Sequence, residues 1–218
     1  KMLDLPSINE ACENLTKTFF EPGAGHGAFL VEILTRKLKM VEREYNDTIV
    51  GYENYSLLAL STLYGIELLE DNTRSCSMAL FKVYYDAYNK QLKKHNKKPK
   101  PSVIESARTI IAKNIVQGDF LTKLNLAGNP VIFSEWEAIN LNQNPTQLVV
   151  QRTEYTLEEV EAGIKKIAGS VVDPKEEKGQ LTFSFKADDT EEDPENVELR
   201  YIPCQITTVF REEQEEVE

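Results

Sequence analysis

The chain has 218 residues and carries 25 Lys+Arg against 36 Asp+Glu, a formal net charge of −11. That length suits one moderate domain, or a domain with an appendage, and is enough to bury a sizeable core. No apolar run approaches the roughly 20 residues that a membrane-spanning helix needs, and no signal peptide is evident. Cys12, Cys76 and Cys204 are odd in number and widely spaced, and His26 and His95 are the only histidines. With no C-x-x-C pair or Cys/His cluster, the chain argues against a zinc site or a disulfide framework and reads as cytoplasmic. The charge is uneven. Residues 1–150 are balanced, with 17 basic and 17 acidic side chains, whereas residues 151–218 hold 8 against 19. The first part could approach nucleic acid locally, and the last part would be repelled by it.

Met2, Leu3 and Leu5 read as the middle of a helix, so the native start is expected upstream of Lys1. Residues 19–30 carry the strongest local signal. Phe19 and Phe20 close an apolar run on Glu21, then Pro22 and three glycines at alternate positions follow (Gly23, Gly25, Gly27). Phe29, Leu30, Ile33 and Leu34 then set a helical period. This predicts a strand, a tight glycine turn and a helix N-terminus, with the helix over 27–45. Glycine admits positive φ and close approach of a ligand to the backbone, and the helix start offers unpaired N–H groups. The third glycine comes one residue early for G-x-G-x-x-G, and no Gly-Lys-Ser/Thr follows for a P-loop. Glu21 would repel a pyrophosphate and favour a ligand bearing an ammonium or ribose hydroxyls.

Further along, 48–63 favours a helix and Tyr64–Leu69 a second core strand bearing Glu67. Asp71 or Asn72 is expected to cap a helix over 73–92. Lys90–Lys100, with six lysines and closed by Pro99 and Pro101, reads as a loop. A short helix is expected over 103–112, and Asn114–Leu121 as a third core strand with its exit turn. Val131–Phe133 and Gln147–Val150 are strand-like. Thr156 and Glu159 form a capping box for a helix over 156–168. Leu181–Phe185 and Leu199–Phe210 read as two strands joined by the acidic loop 188–198, before a solvated tail.

The glycine turn closely resembles the S-adenosylmethionine loop of class I methyltransferases. It is most similar to that of N6-adenine DNA methyltransferases of restriction-modification systems, which reads Asp/Glu-Pro-x-x-Gly-x-Gly-x-Phe-Leu. Glu21, Pro22, Gly25, Gly27, Phe29 and Leu30 fit it. Tyr64–Glu67 with Asp71-Asn72, and Asn114–Thr122, extend the likeness over roughly residues 1–122. The resemblance implies an α/β fold, with a Rossmann-like sheet and helices on both faces, here closed by a C-terminal antiparallel hairpin. Residues 1–122 would be the cofactor-binding half, and 123–218 a divergent, acidic second half or small appendage. It further implies that Glu21, Pro22, Gly23, Gly25 and Gly27 cradle S-adenosylmethionine and that Glu67 holds the ribose hydroxyls. Asp119 would accept from the adenine amine, with Phe120 packing on the ring. Glu53 competes with Glu67 for the ribose, and helix and strand order favours Glu67.

The Asn/Asp-Pro-Pro-aromatic motif of such enzymes is missing, and no Pro-Pro occurs in the chain. If Val131–Phe133 is the fourth strand, Ser134, Glu135 and Trp136 take the motif's place on the following turn. Trp136 would stack on a flipped base and Ser134 or Glu135 would receive the amine. A plain hairpin with Trp136 in the core is the competing reading. The Lys90–Lys100 run could contact DNA phosphates. The first functional reading is a DNA adenine methyltransferase of a restriction or phage system. The second is a catalytically silent subunit that binds S-adenosylmethionine or a partner protein supplying target recognition, and the third a methyltransferase of RNA or a small molecule.

Overall fold

A computed structural model describes residues 5–141, 146–173 and 198–217. It is a mixed α/β structure. Helix α1 spans Pro6–Cys12, and strand β1, Phe19–Glu21, leads through the glycine turn into α2, Ala28–Glu44. Helix α3, Ile49–Ser61, precedes β2, Leu63–Glu67. Helices α4, Glu70–Lys94, and α5, Pro101–Asn114, precede β3, Ile115–Gln117. These three strands are parallel and lie in the order β1-β2-β3.

Strand alternation sorts their side chains. Odd-numbered Phe19, Leu63 and Ile115 join the large core built with α2–α5, where Leu30, Ile33, Leu57, Leu80 and Val103 are buried. Even-numbered Tyr64, Ile66 and Val116 face the other way, into a second core with Val131, Phe133 and Leu157. Consecutive parallel strands laid down in one direction, with crossovers of one hand, put their helices on one face. The second face is reached, through Phe133, by one strand of an antiparallel sheet whose Trp136 and Val150 join the large core. That sheet holds β4 (Ile132–Ala138), β5 (Val149–Thr156) and β7 (Cys204–Gln205), in the order β4-β5-β7. The expected helices on both faces are not seen among the described residues, where the second face receives only the start of the short α6, Leu157–Ala162. Gly118 allows this packing, because a Cβ there would lie 2.4 Å from Val131.

Several element bounds differ from the sequence reading for local reasons. Helix α4 starts at Glu70, capped by the Leu69 backbone without a side-chain bond, because Asn72 turns to Glu67. It also continues to Lys94, so half of the supposed Lys90–Lys100 loop is helical. The capping box of Thr156 and Glu159 forms as expected, but Gly163 takes a left-handed conformation and stops α6 six residues early. Leu199–Phe210 is not one strand. It divides into β6 (Leu199–Tyr201), β7 and a 3-10 helix over Ile206–Arg211, with Pro203 at the break, and β6 pairs with β8, Gln214–Glu216. The antiparallel hairpin expected at the C-terminus is represented by β6 with β8, while the larger antiparallel pairing is β4 with β5. Met2, Leu3, the strand reading at Leu181–Phe185 and the acidic stretch 188–197 lie outside the described residues.

Candidate functional site

The C-terminal ends of the three parallel strands bring together Glu21, the glycine turn, Glu67 and, just past β3, Asp119. This is the edge at which open parallel sheets take ligands. The turn is fixed to the sheet: the Ala24 N–H donates to Ile66 O at 3.0 Å and the Gly27 N–H to Ala24 O at 2.8 Å. Gly25 and Gly27 both have positive φ, +52° and +81°. Gly27 is the N-cap of α2 and has no side chain to satisfy the first N–H groups of that helix. A Cβ at Gly27 would meet Cys76 Sγ of α4 at 2.6 Å, so this glycine serves close packing. At Gly23 and Gly25 a Cβ would meet nothing within 4 Å. Those two open positions, with Pro22 exposed beside them, form a cradle.

Glu21 ends β1 with its Oε2 buried and without a hydrogen-bond partner among the described residues. Burial pushes its carboxyl above the usual carboxylate range. An unpaired buried acceptor costs free energy, and a donor or cation that reached it would satisfy it. Glu67 is otherwise employed. Its Oε2 accepts the Gly25 N–H at 2.8 Å, and its Oε1 accepts the Leu69 N–H at 3.1 Å and the Asn72 amide at 3.3 Å. Burial alone would raise its carboxyl, but these bonds outweigh that and hold it below the ordinary value. A carboxylate has about four lone-pair sites, so Glu67 braces the turn and keeps room for one further donor.

Asp119 accepts the Leu121 N–H at 2.8 Å and donates its own N–H to Leu124 O at 2.9 Å, which makes it a turn residue as it stands. Phe120 packs into the second core, its ring 5.9 Å from that of Phe20. The rival acid Glu53 is removed from the site. It is buried on α3, where it accepts from Tyr88 Oη at 2.7 Å and pairs with Lys100 Nζ at 2.6 Å.

Ser134, Glu135 and Trp136 do not follow a strand; they are the middle of β4, paired with Glu154, Thr153 and Arg152 of β5. Their expected placement on a catalytic turn is corrected. Period-2 alternation turns Ser134 and Trp136 inward and Glu135 outward. Trp136 is buried, and its Nε1 donates to Asn114 Oδ1 at 3.2 Å. Sequence reasoning missed what surrounds it. The buried Arg152 donates from Nε to Ser134 Oγ at 2.9 Å and from its terminal nitrogens to Glu154 and Glu212, and its guanidinium lies 4.1 Å from the Tyr201 ring centroid. An arginine inside the apolar stretch 147–156 was the available signal.

Among the six lysines of 90–100, Lys90 pairs with Glu42 at 2.8 Å and Lys100 with Glu53, leaving Lys93, Lys94, Lys97 and Lys98 facing solvent. Among the described residues no group of three or more His, Cys, Asp or Glu side chains could hold a metal ion, and no helix is long and apolar enough to cross a membrane. No protein-family model, curated protein or solved structure matches the chain.

Proposed function

We propose that this chain binds S-adenosylmethionine at the Gly23–Gly27 turn and is a Rossmann-like, class I methyltransferase-type protein related to the DNA adenine enzymes. The observation that carries the reading is the conjunction at one sheet edge of open positions at Gly23 and Gly25 and the orphaned, buried Glu21 carboxylate oxygen. The residues fit the group. Glu21 offers an acceptor for an ammonium, and Glu67 has one acceptor site left for a ribose hydroxyl. The uncapped start of α2 offers N–H donors. Bound S-adenosylmethionine supplies an electrophilic methyl group on its sulfonium. The chain's part is to bind and orient: the turn excludes side chains from the cradle, and Glu67 holds its backbone in place.

A second reading, a subunit that binds the cofactor without transferring the methyl group to DNA alone, is favoured by the burial of Trp136 in β4. That ring has no free face for a base, and the adenine-handling motif is missing. DNA contact would rest on the four solvent-facing lysines of 93–98.

Calorimetry with S-adenosylmethionine and its demethylated product tests the proposal. Wild type is expected to bind. Gly25→Val puts a branched side chain into the cradle at a φ that costs a β-carbon about 1–2 kcal/mol, and is expected to abolish binding while the protein stays folded. Unchanged affinity in a folded variant would remove the cofactor assignment. Tritiated methyl transfer to mixed DNA then separates the two readings, and this chain alone is expected to transfer little or nothing.

A further inference from the structure

The second face of the parallel sheet is only partly covered by the described residues. Parallel sheets are ordinarily packed on both faces, yet Phe20 on this face is 40% exposed. It lines a cavity of about 540 Å³. A second cavity, of about 250 Å³, adjoins the first through Thr18, Tyr64, Glu135 and Glu137. The larger volume falls within the range of about 300–1,000 Å³ that small-molecule sites occupy. No residue of Gly23–Gly27 lines either cavity.

Strand alternation builds the walls. Phe20 and Tyr64 share the second face of the sheet, while Phe133, Glu135 and Glu137 share one face of β4. Phe133 stands edge-on to both Phe20 and Tyr64, with ring centroids 5.8 and 5.9 Å apart, so the three rings make one closed aromatic wall. Tyr155, the register partner of Phe133, adds a fourth ring. Val160 and Ile164, both half-exposed, supply an apolar rim.

The charge at this wall is acidic. Glu135 and Glu137 are exposed and form no ion pair among the described residues. Lys166 is taken by Glu159 at 3.1 Å, so Lys165 is the cation of the lining left against two carboxylates. Burial first, and then the charge of Glu135, raise the Tyr64 and Tyr155 hydroxyls, which places this carboxylate beside the rings. Aromatic faces attract cations, and the chain already uses this one: Lys166 Nζ lies 6.0 Å from the Tyr155 ring centroid. No third His, Cys, Asp or Glu joins the two carboxylates as a metal-holding group among the described residues.

We propose that this cavity binds a small organic ammonium ion with an apolar body. The cationic head meets Glu135 and Glu137, and the body lies against the exposed part of Phe20 and the Val160–Ile164 rim. The aromatic wall with two unpaired carboxylates selects an organic cation over an anion or a metal ion. The inference is independent of cofactor binding.

The test titrates 2-phenylethylammonium into the full chain and follows backbone amide shifts by NMR. Saturable shifts are expected at Phe20, Glu135 and Tyr155, with half-saturation at about 1 mM and weakening as salt rises. The double variant Glu135→Gln/Glu137→Gln changes two exposed side chains without altering their size, and is expected to weaken binding about three- to tenfold. The uncharged analogue 2-phenylethanol is expected to bind more weakly by a similar factor, and 3-phenylpropionate not to bind. The proposal is overturned by any of four results: no saturable shift at millimolar probe, shifts centred on Gly23–Gly27, equal binding of 2-phenylethanol, or equal binding by the double variant. Another part of this chain filling the cavity would appear as the first of these.

Discussion

Glu67 braces the glycine turn and, under the proposed function, would also meet a ribose, and one substitution pulls the two apart. Its carboxylate takes two backbone N–H groups, from Gly25 and Leu69, and the Asn72 amide. Charge-assisted bonds of this kind contribute about 1.5–3 kcal/mol each when shielded. Glu67 is only partly buried, so solvent reduces the set, and Glu67→Ala is expected to cost about 1–2 kcal/mol of stability. For a chain of this size that corresponds to a fall in melting temperature of roughly 2–8 °C. The carboxyl is held below its ordinary value of 4.5. A depressed acid contributes stability that is fully present above its unfolded value and is lost as pH falls through the folded one. Wild type should therefore exceed the variant at pH 7, and the two should converge on acidification below 4.5. In calorimetry at pH 7 the same variant should bind S-adenosylmethionine roughly ten- to a hundredfold more weakly, the equivalent of one lost charged acceptor. Glu67→Gln should resemble Glu67→Ala, because its NH2 group would face an N–H donor. Urea unfolding supplies the stability arm. If Glu67→Ala unfolds like wild type at pH 7 and keeps its affinity, the brace and the ribose role both fail. If it unfolds early but binds normally, only the ribose role fails.

Glu53→Ala leaves the Tyr88 hydroxyl without its buried acceptor while the half-exposed Lys100 returns to solvent, and should cost about 1–3 kcal/mol in urea unfolding, with no direct effect on cofactor affinity in the folded fraction. Gly27→Ala should destabilise by about 2–4 kcal/mol, from the left-handed φ and the approach to Cys76 Sγ; Cys76→Ala should recover the steric part in a double-mutant cycle, and additivity would show that the contact does not matter. Lys37 is buried and donates to the Asn14, Leu15 and Lys17 carbonyls at 2.9, 3.2 and 2.8 Å. Burial lowers its amine to about 8 from 10.5. Between those values the unfolded chain binds more protons, so folding gains stability as pH rises. The stability difference between wild type and Lys37→Met should move in favour of wild type by up to about 1.4 kcal/mol per pH unit from 8 to 10.5, and a flat difference would contradict this.

The parts of the structure legible in the sequence are those written in adjacent residues. Gly23, Gly25 and Gly27 sit between an apolar run and a helical period, and β1, the turn and α2 form there. Thr156 and Glu159 are three apart and cap α6. The misreadings come where a distant partner decides. Asn72 looked like a cap because its neighbours suit one, but Glu67 claims its amide. Lys90–Lys94 looked like a loop from charge alone, yet lysine is a good helix former, and Gln91 and Leu92 are buried beside it. Ser134–Trp136 looked like a turn after a short strand. The pairing of Ile132–Ala138 with β5 is set by residues about twenty positions on.

The same division explains why only half of the proposed site could be read in advance. The proposed cofactor half shows in adjacent residues, a glycine turn between a strand-end acid and a helical period, although Glu67 and Cys76 hold that turn from a distance. The face opposite α2–α5 depends on what packs there, and here Val131, Phe133 and Leu157 close it. Tyr64 Oη donates to Ser134 O at 3.2 Å, tying β4 across β2. Strand β4 therefore starts over the second sheet face with Phe133 and runs on into the large core with Trp136. The outward Glu135 and the inward Trp136 are consequences of one choice: Ile132–Ala138 pairs with β5 and not with β1.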